Sequence, residues 1–178
     1  TGQPKGVVIS HANALHSLAA RLAGYPHPVQ RFLLLSSFAF DSSVAGIFWT
    51  LAQGGRLVLP APGEELEMSR LAQLIAQHQI SHGLSLPSLY QALLDHPDVA
   101  KTDFASLRVC ISGGAPLPLP LKRRFEAATG AHVVEGYGLT ESGIVSTNPF
   151  EGFGNERPGT IGQPLPGTRV RLLDKEDP

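Results

Sequence analysis

Apolar positions along the chain switch repeatedly between short continuous runs and a spacing of three to four residues. Phe32–Ser37 is a continuous apolar run bounded by turn signals, the pattern of a strand buried on both faces. Arg56–Leu59, Ile80–Leu86, Leu107–Ile111, His132–Glu135 and Thr168–Leu173 read as further strands, and Val7–Ser10 is a short β-branched run that reads as one too. Between them lie predicted helices. Asn13–Ala23 ends at Gly24, Val44–Ala52 is closed by Gly54-Gly55, and Ser88–Asp95 stops before Pro97. In Glu67–Gln79 the residues Met68, Leu71, Leu74, Ile75 and His78 share one face, with Arg70, Gln73 and Gln77 outward. Leu121, Phe125 and Ala128 mark the inner face of a last helix ending at Gly130. This rhythm predicts an α/β fold, a mostly parallel sheet flanked by helices. Asn148–Pro166, rich in proline and glycine, reads as a long ordered loop.

Composition narrows the class. At 178 residues the chain supports one sizeable core. Apolar residues make up 42% and charged residues 16%, a globular balance without a disorder signature. A net charge of −1 gives no electrostatic footprint for nucleic acid, so a bound anion has to be held by local groups. No apolar run is long enough for a membrane span, and the start of the chain has no signal-peptide pattern. The lone cysteine, Cys110, sits in a predicted buried strand; that suits a cytoplasmic location. Residue 1 is threonine and the chain stops just after a predicted strand, so a segment of a longer protein is expected.

Three short motifs carry candidate chemistry. Thr1-Gly2-Gln3-Pro4-Lys5-Gly6 combines a hydroxyl, glycines that let backbone N–H groups approach an anion, and a lysine. A plain Gly-Pro turn with a solvated lysine has the same composition. It is not a Walker loop, because Lys5-Gly6 leads into a predicted strand and not a helix. Ser112-Gly113-Gly114-Ala115-Pro116 follows the strand Leu107–Ile111, where small residues leave room for a flat ligand; an ordinary strand-to-helix turn reads the same way. Glu135-Gly136-Tyr137-Gly138-Leu139-Thr140-Glu141-Ser142 follows another strand. Tyr137 offers an aromatic face, Thr140 a hydroxyl for a phosphate, and Glu141 a carboxylate for Mg²⁺. The alternative is a glycine-flanked turn with Thr140 capping a helix and Glu141 near its N-terminus.

In this order, the three motifs resemble the nucleotide site of the adenylate-forming (AMP-binding) superfamily. That superfamily includes acyl-CoA ligases, luciferases and the adenylation domains of nonribosomal peptide synthetases. The resemblance covers essentially the whole chain. It implies that 1–6 is the end of a phosphate loop, that 107–147 is the adenine and Mg²⁺/phosphate region, and that 148–178 is the end of the sheet region of a large domain. In the family, Thr1, Gly2 and Lys5 would contact ATP phosphates, and Gly113, Gly114, Ala115 and Pro116 would border the adenine, with Glu135, Gly136, Tyr137 and Gly138 beside them. Thr140 and Glu141 would meet phosphate and Mg²⁺. The implied reaction is attack of a carboxylate on the α-phosphate of ATP, releasing pyrophosphate and forming an acyl-adenylate. Lys5, Thr140 and Mg²⁺ on Glu141 would meet the developing charge. The family's ribose-binding aspartate and its C-terminal domain with a catalytic lysine would lie beyond Pro178, so the isolated chain is expected to be inactive.

Phe38-Ala39-Phe40-Asp41-Ser42-Ser43 resembles the Phe-Asp-x-Ser motif of the peptide synthetases, in which the aspartate pairs with the α-ammonium of an amino acid. Phe40, Asp41 and Gly114 are therefore expected at the substrate, and a phosphopantetheine carrier or coenzyme A as thiol acceptor. Asp41 also suits a helix N-cap. The form Gly136-Tyr137-Gly138-Leu139-Thr140-Glu141 looks instead like that of acyl-CoA ligases, which remain the alternative, beside a non-catalytic nucleotide-binding module. The histidines show no zinc spacing; His78 and His82 straddle a predicted helix-to-strand change. Ser112 lacks a nucleophile-elbow context. Lys122-Arg123-Arg124 reads as the solvated face of a helix.

Overall fold

The computed structural model describes residues 6–149 and 156–173. Thr1, Gly2 and Lys5, the expected phosphate-loop residues, lie outside that range. Five strands run parallel: β1 (Arg31–Leu33), β2 (Arg56–Val58), β3 (His82–Ser85), β4 (Val109–Ser112) and β5 (His132–Leu139). Two more, β6 (Gly143–Thr147) and β7 (Gln163–Pro164), add antiparallel beyond β5. The order across the sheet is β2-β1-β3-β4-β5-β6-β7. α1 (His11–Gly24) precedes β1, and α2 (Asp41–Leu51), α3 (Met68–Gln77), α4 (Pro87–Asp95) and α5 (Leu119–Thr129) connect the parallel strands in turn.

Strand residues face alternate sides, and each side has its own core. Leu33, Cys110 and Val133 pack with Leu71, Ile75, Tyr90, Leu93 and Phe125 of α3, α4 and α5. Phe32, Leu34, Val109, Ile111 and Val134 pack with Ala20 and Trp49 of α1 and α2. Trp49 is the centre of the second core. It lies 4.9 Å from the Tyr25 ring, 6.4 Å from Phe32 and 5.4 Å from the imidazole of His82. Because α2 and α3 cover opposite faces, the chain reverses its direction of growth between β1 and β3. Open α/β sheets bind ligands at the carboxyl ends of the strands beside such a reversal.

The helix ends follow from local chemistry. Ser10 and Asn13 form a capping box at the start of α1. Gly130, at φ 72°, ends α5 in the left-handed conformation that a helix C-terminus favours. Four expectations are corrected. Val7–Ser10 forms no strand: Val8 is exposed and Ser10 is committed to the α1 cap. Thr168–Leu173 forms no strand either, and Leu172 is almost fully exposed. The hairpin strand β6 had no predicted counterpart. Lys122 is buried and not solvated; its ammonium donates to Val133 C=O and pairs with Glu126 and Glu156, each at 2.7 Å. A buried ammonium is tolerable because those partners offset its desolvation.

Candidate active site

The parallel strands deliver three loops to one edge of the sheet. The first follows β4. Ser112 is in register with Ser85 on one side and Glu135 on the other, so the parallel pairing of β3, β4 and β5 ends level. Gly113 then donates to Ser85 C=O at 3.1 Å. Gly114 adopts φ 75°, a conformation that calls for glycine, and the movable tip of the exposed Leu86 side chain lies beside it. Ala115 and Pro116 are exposed, and Leu117 is buried in the α3–α5 core, anchoring the far end of the loop. Glu135 is half-buried and faces the N–H of Leu117. Desolvation holds its carboxyl above the ordinary range, and that N–H partly offsets the effect.

The second loop is a hairpin. β5 continues past its parallel pairing with β4 and joins β6 through Gly136↔Thr147, Tyr137↔Ser146 and Leu139↔Gly143. The register shifts between Tyr137 and Gly138, a bulge that re-aims the strand. A β-carbon on Gly138 would sit 2.4 Å from Gly143 C=O, so this glycine is required by the hairpin itself. Thr140 and Glu141 form the exposed tip and make no hydrogen bond or ion pair among the described residues. No helix follows, so the helix-capping alternative for Thr140 fails. Tyr137 is partly exposed beside the tip. Behind the hairpin, the hydroxyl of buried Tyr25 donates to Thr147 at 3.3 Å; burial raises its pKa.

The third loop leads from β1 to α2. Phe40 is the N-cap of α2 and is largely exposed; no side chain caps this helix. Asp41 opens the first turn, where a negative charge is favoured by the helix dipole. Its carboxylate is exposed and makes no hydrogen bond or ion pair among the described residues, which removes the capping role for its side chain. Arg21 of α1 lies within electrostatic reach of Asp41, while its Nη1 donates to Ser17 Oγ at 2.7 Å. Ser42 donates to Ser36 at 2.9 Å, tying α2 to the end of β1.

A family model described as AMP-binding enzyme matches residues 1–178. The chain belongs to this family. Among curated relatives of the AMP-binding enzymes, it is 31% identical to the long-chain-fatty-acid–CoA ligase of Bacillus subtilis (strain 168), over 99% of this chain and 31% of that protein. It is 34% identical to tyrocidine synthase 3 of Brevibacillus parabrevis, over 99% of this chain and 3% of that protein. The solved structure of the anthranilate CoA ligase AuaEII in complex with anthranoyl-AMP superposes with a TM-score of 0.84 at 27% identity, covering 99% of this chain and 34% of that one. The chain thus spans about a third of the ligases it resembles and a few per cent of the synthase.

Within this AMP-binding fold, the carboxyl edge gathers Phe40, Asp41, Gly113 to Pro116 and Glu135 to Glu141. The arrangement offers a glycine-rich loop, an aromatic face and two exposed carboxylates, Asp41 and Glu141, without an ion pair among the described residues. Mg²⁺ prefers one or two protein carboxylates completed by phosphate oxygens and water. Glu141, exposed and unengaged, fits that demand, and no cluster of three or more candidate metal ligands occurs among the described residues. Sequence reasoning missed Leu86, Ser36, Arg21 and Tyr25, which shape the edge from other elements. Their only sequence signal is a place at or near an element's end. The Ser112 hydroxyl, which the sequence offered only as a nucleophile without an elbow, is fully buried and has no hydrogen-bond partner among the described residues.

Proposed function

We propose that the protein containing this chain activates a carboxylic acid with ATP. A carboxylate oxygen attacks the α-phosphorus, the bond to the β-phosphate oxygen breaks, and pyrophosphate leaves with the electron pair. The product is an acyl-adenylate ready for a thiol. The observation that carries this reading is the hairpin tip. Thr140 and Glu141 stand exposed and unengaged among the described residues, at the tip of the hairpin that carries β5 past the Gly113–Pro116 loop, on the edge where such sheets bind ligands. When bound, Mg²⁺ supplies charge neutralisation at the phosphates. Glu141 would hold it, Thr140 and Lys5 would donate to phosphate oxygens, and Tyr137 would stack on the adenine between Gly113–Pro116 and Gly136. The reaction needs positioned charge more than proton transfer.

The substrate we infer is an amino acid, passed to a carrier protein's phosphopantetheine thiol. Asp41 supports it: a carboxylate that neither caps its helix nor forms an ion pair among the described residues is free to meet an ammonium. An acyl acid with coenzyme A as acceptor is the second reading. It is favoured by the Gly-Leu-Thr-Glu form of the hairpin and by the likeness to the Bacillus ligase.

Carboxylate-dependent ATP–pyrophosphate exchange by the full-length protein, over a panel of amino and acyl acids, tests both. We expect exchange with an amino acid and a loss of at least about tenfold in Asp41→Ala, the scale of one charged hydrogen bond. Exchange confined to acyl acids and indifferent to Asp41 would establish the second reading.

A further inference from the structure

The opposite, amino edge of the sheet holds a row of arginines that the nucleotide site does not use. Arg31 pairs with Arg56 across β1 and β2. The row continues through backbone bonds, Ser81 N–H to Arg31 C=O at 2.9 Å and Arg108 N–H to Ser81 C=O at 2.8 Å. Two residues further along their strands, Leu33, Val58 and Cys110 all enter the α3–α5 core, so the three arginines share that face. Like charges side by side on adjacent strands are unfavourable unless something offsets them. Among the described residues none of the three forms an ion pair with a carboxylate.

Arg31, Ser81 and Arg108, with His27 and Gln79, line a pocket of about 350 Å³, within the range of small-ligand sites. Each guanidinium at the pocket is held at one nitrogen only. Arg31 Nη1 donates to Gln79 C=O at 3.2 Å, and Arg108 Nη1 to Ala105 C=O at 2.6 Å and Leu107 C=O at 3.4 Å. The fork of each retains further N–H donors. The Ser81 hydroxyl is already spent, donating to Arg31 C=O at 3.0 Å. Gln79, at φ 50°, is the left-handed residue that ends α3: its N–H donates to Ala76 C=O at 3.2 Å and Ile80 N–H to Ile75 C=O at 3.0 Å, and this helix end fixes the Gln79 carbonyl that Arg31 uses. Capping α3 does not account for the row, because a helix C-terminus carries about half a negative charge against three positive ones.

We propose that this pocket binds a small phosphate-bearing ligand, gripped between Arg31 and Arg108 with Arg56 adding to the field. Arg31 and Arg108 stand two strand spacings apart, roughly 10 Å. Donors converging from both sides suit a tetrahedral anion with several oxygens, whereas one arginine fork alone satisfies a planar carboxylate. The site lies at the far end of the strands from the hairpin tip, so its occupant is distinct from the activated acid and ATP.

Isothermal titration of inorganic phosphate into the full-length protein, with the nucleotide site saturated by AMP, tests the proposal. One phosphate should bind, about tenfold more weakly in Arg31→Gln and in Arg108→Gln, with Arg108→Lys recovering part of the loss. Pyrophosphate exchange should be unchanged in Arg108→Gln, whose exposed side chain lies at the opposite edge of the sheet from the hairpin tip. Acetate should bind far more weakly than phosphate. No saturable phosphate binding, equal binding of acetate, or affinity indifferent to both substitutions would overturn the proposal.

Discussion

Two buried side chains turn the packing into measurable chemistry. Cys110 lies inside the α3–α5 core, and burial pushes its thiol up to about 12. The thiolate is the reactive form. In the native protein Cys110 should therefore resist a disulfide reagent at pH 8 and react only once urea unfolds the chain; prompt stoichiometric labelling would contradict this core. His82, edge-on to Trp49 with Nδ1 2.9 Å from Ser81 Oγ, is pushed down to about 4 by desolvation. The unfolded chain, near 6.5, binds the proton first, so stability is complete above about pH 6.5 and falls as pH drops toward 4. The loss is on the order of 3 kcal/mol, and urea midpoints measured across that window should fall less in His82→Phe. The sequence placed His82 in the strand Ile80–Leu86 and apart from His78, but it did not show that the imidazole is buried against Trp49. The chain turns at Gln79 between the two histidines.

At the scale of elements, the hairpin built on β5 and β6 holds the candidate site together. An alanine at position 138 would drive its β-carbon into Gly143 C=O. Gly138→Ala should cost on the order of 1–3 kcal/mol and abolish pyrophosphate exchange, whereas retained exchange with unchanged stability would deny the hairpin its role. The buried parallel strands were legible because they cross a core on both faces: Leu107–Ile111 and Phe32–Ser37 overlap β4 and β1. The helices were legible from their apolar faces and terminal glycines. What sequence could not show was β6. Its residues Gly143 to Thr147 are mostly small or polar, and they pair through backbone bonds that leave little hydrophobic period. Lys122 was hidden for a related reason: its partners Val133 and Glu156 come from other segments, which no helical pattern reveals.

For the molecule as a whole, one sheet separates the two edges proposed to bind ligands. The carboxyl edge presents Asp41, the glycine loop and the hairpin tip, and the amino edge presents the arginine row. The motifs at the carboxyl edge could be read from the chain because each follows the end of a strand, and membership of the AMP-binding family supports their proposed role. The arginines could not, since Arg31, Arg56 and Arg108 are far apart in sequence and meet only through strand register. On the proposed function, Glu141 at the hairpin tip serves the metal–phosphate chemistry. Magnesium-dependent ATP–pyrophosphate exchange in Glu141→Gln, on the full-length protein, tests it most directly. With an exposed side chain exchanged for its neutral isostere, the fold should hold and exchange should fall by about a hundredfold or more, recovering in part at higher Mg²⁺. Exchange at the wild-type rate, with unaltered dependence on Mg²⁺, would contradict it.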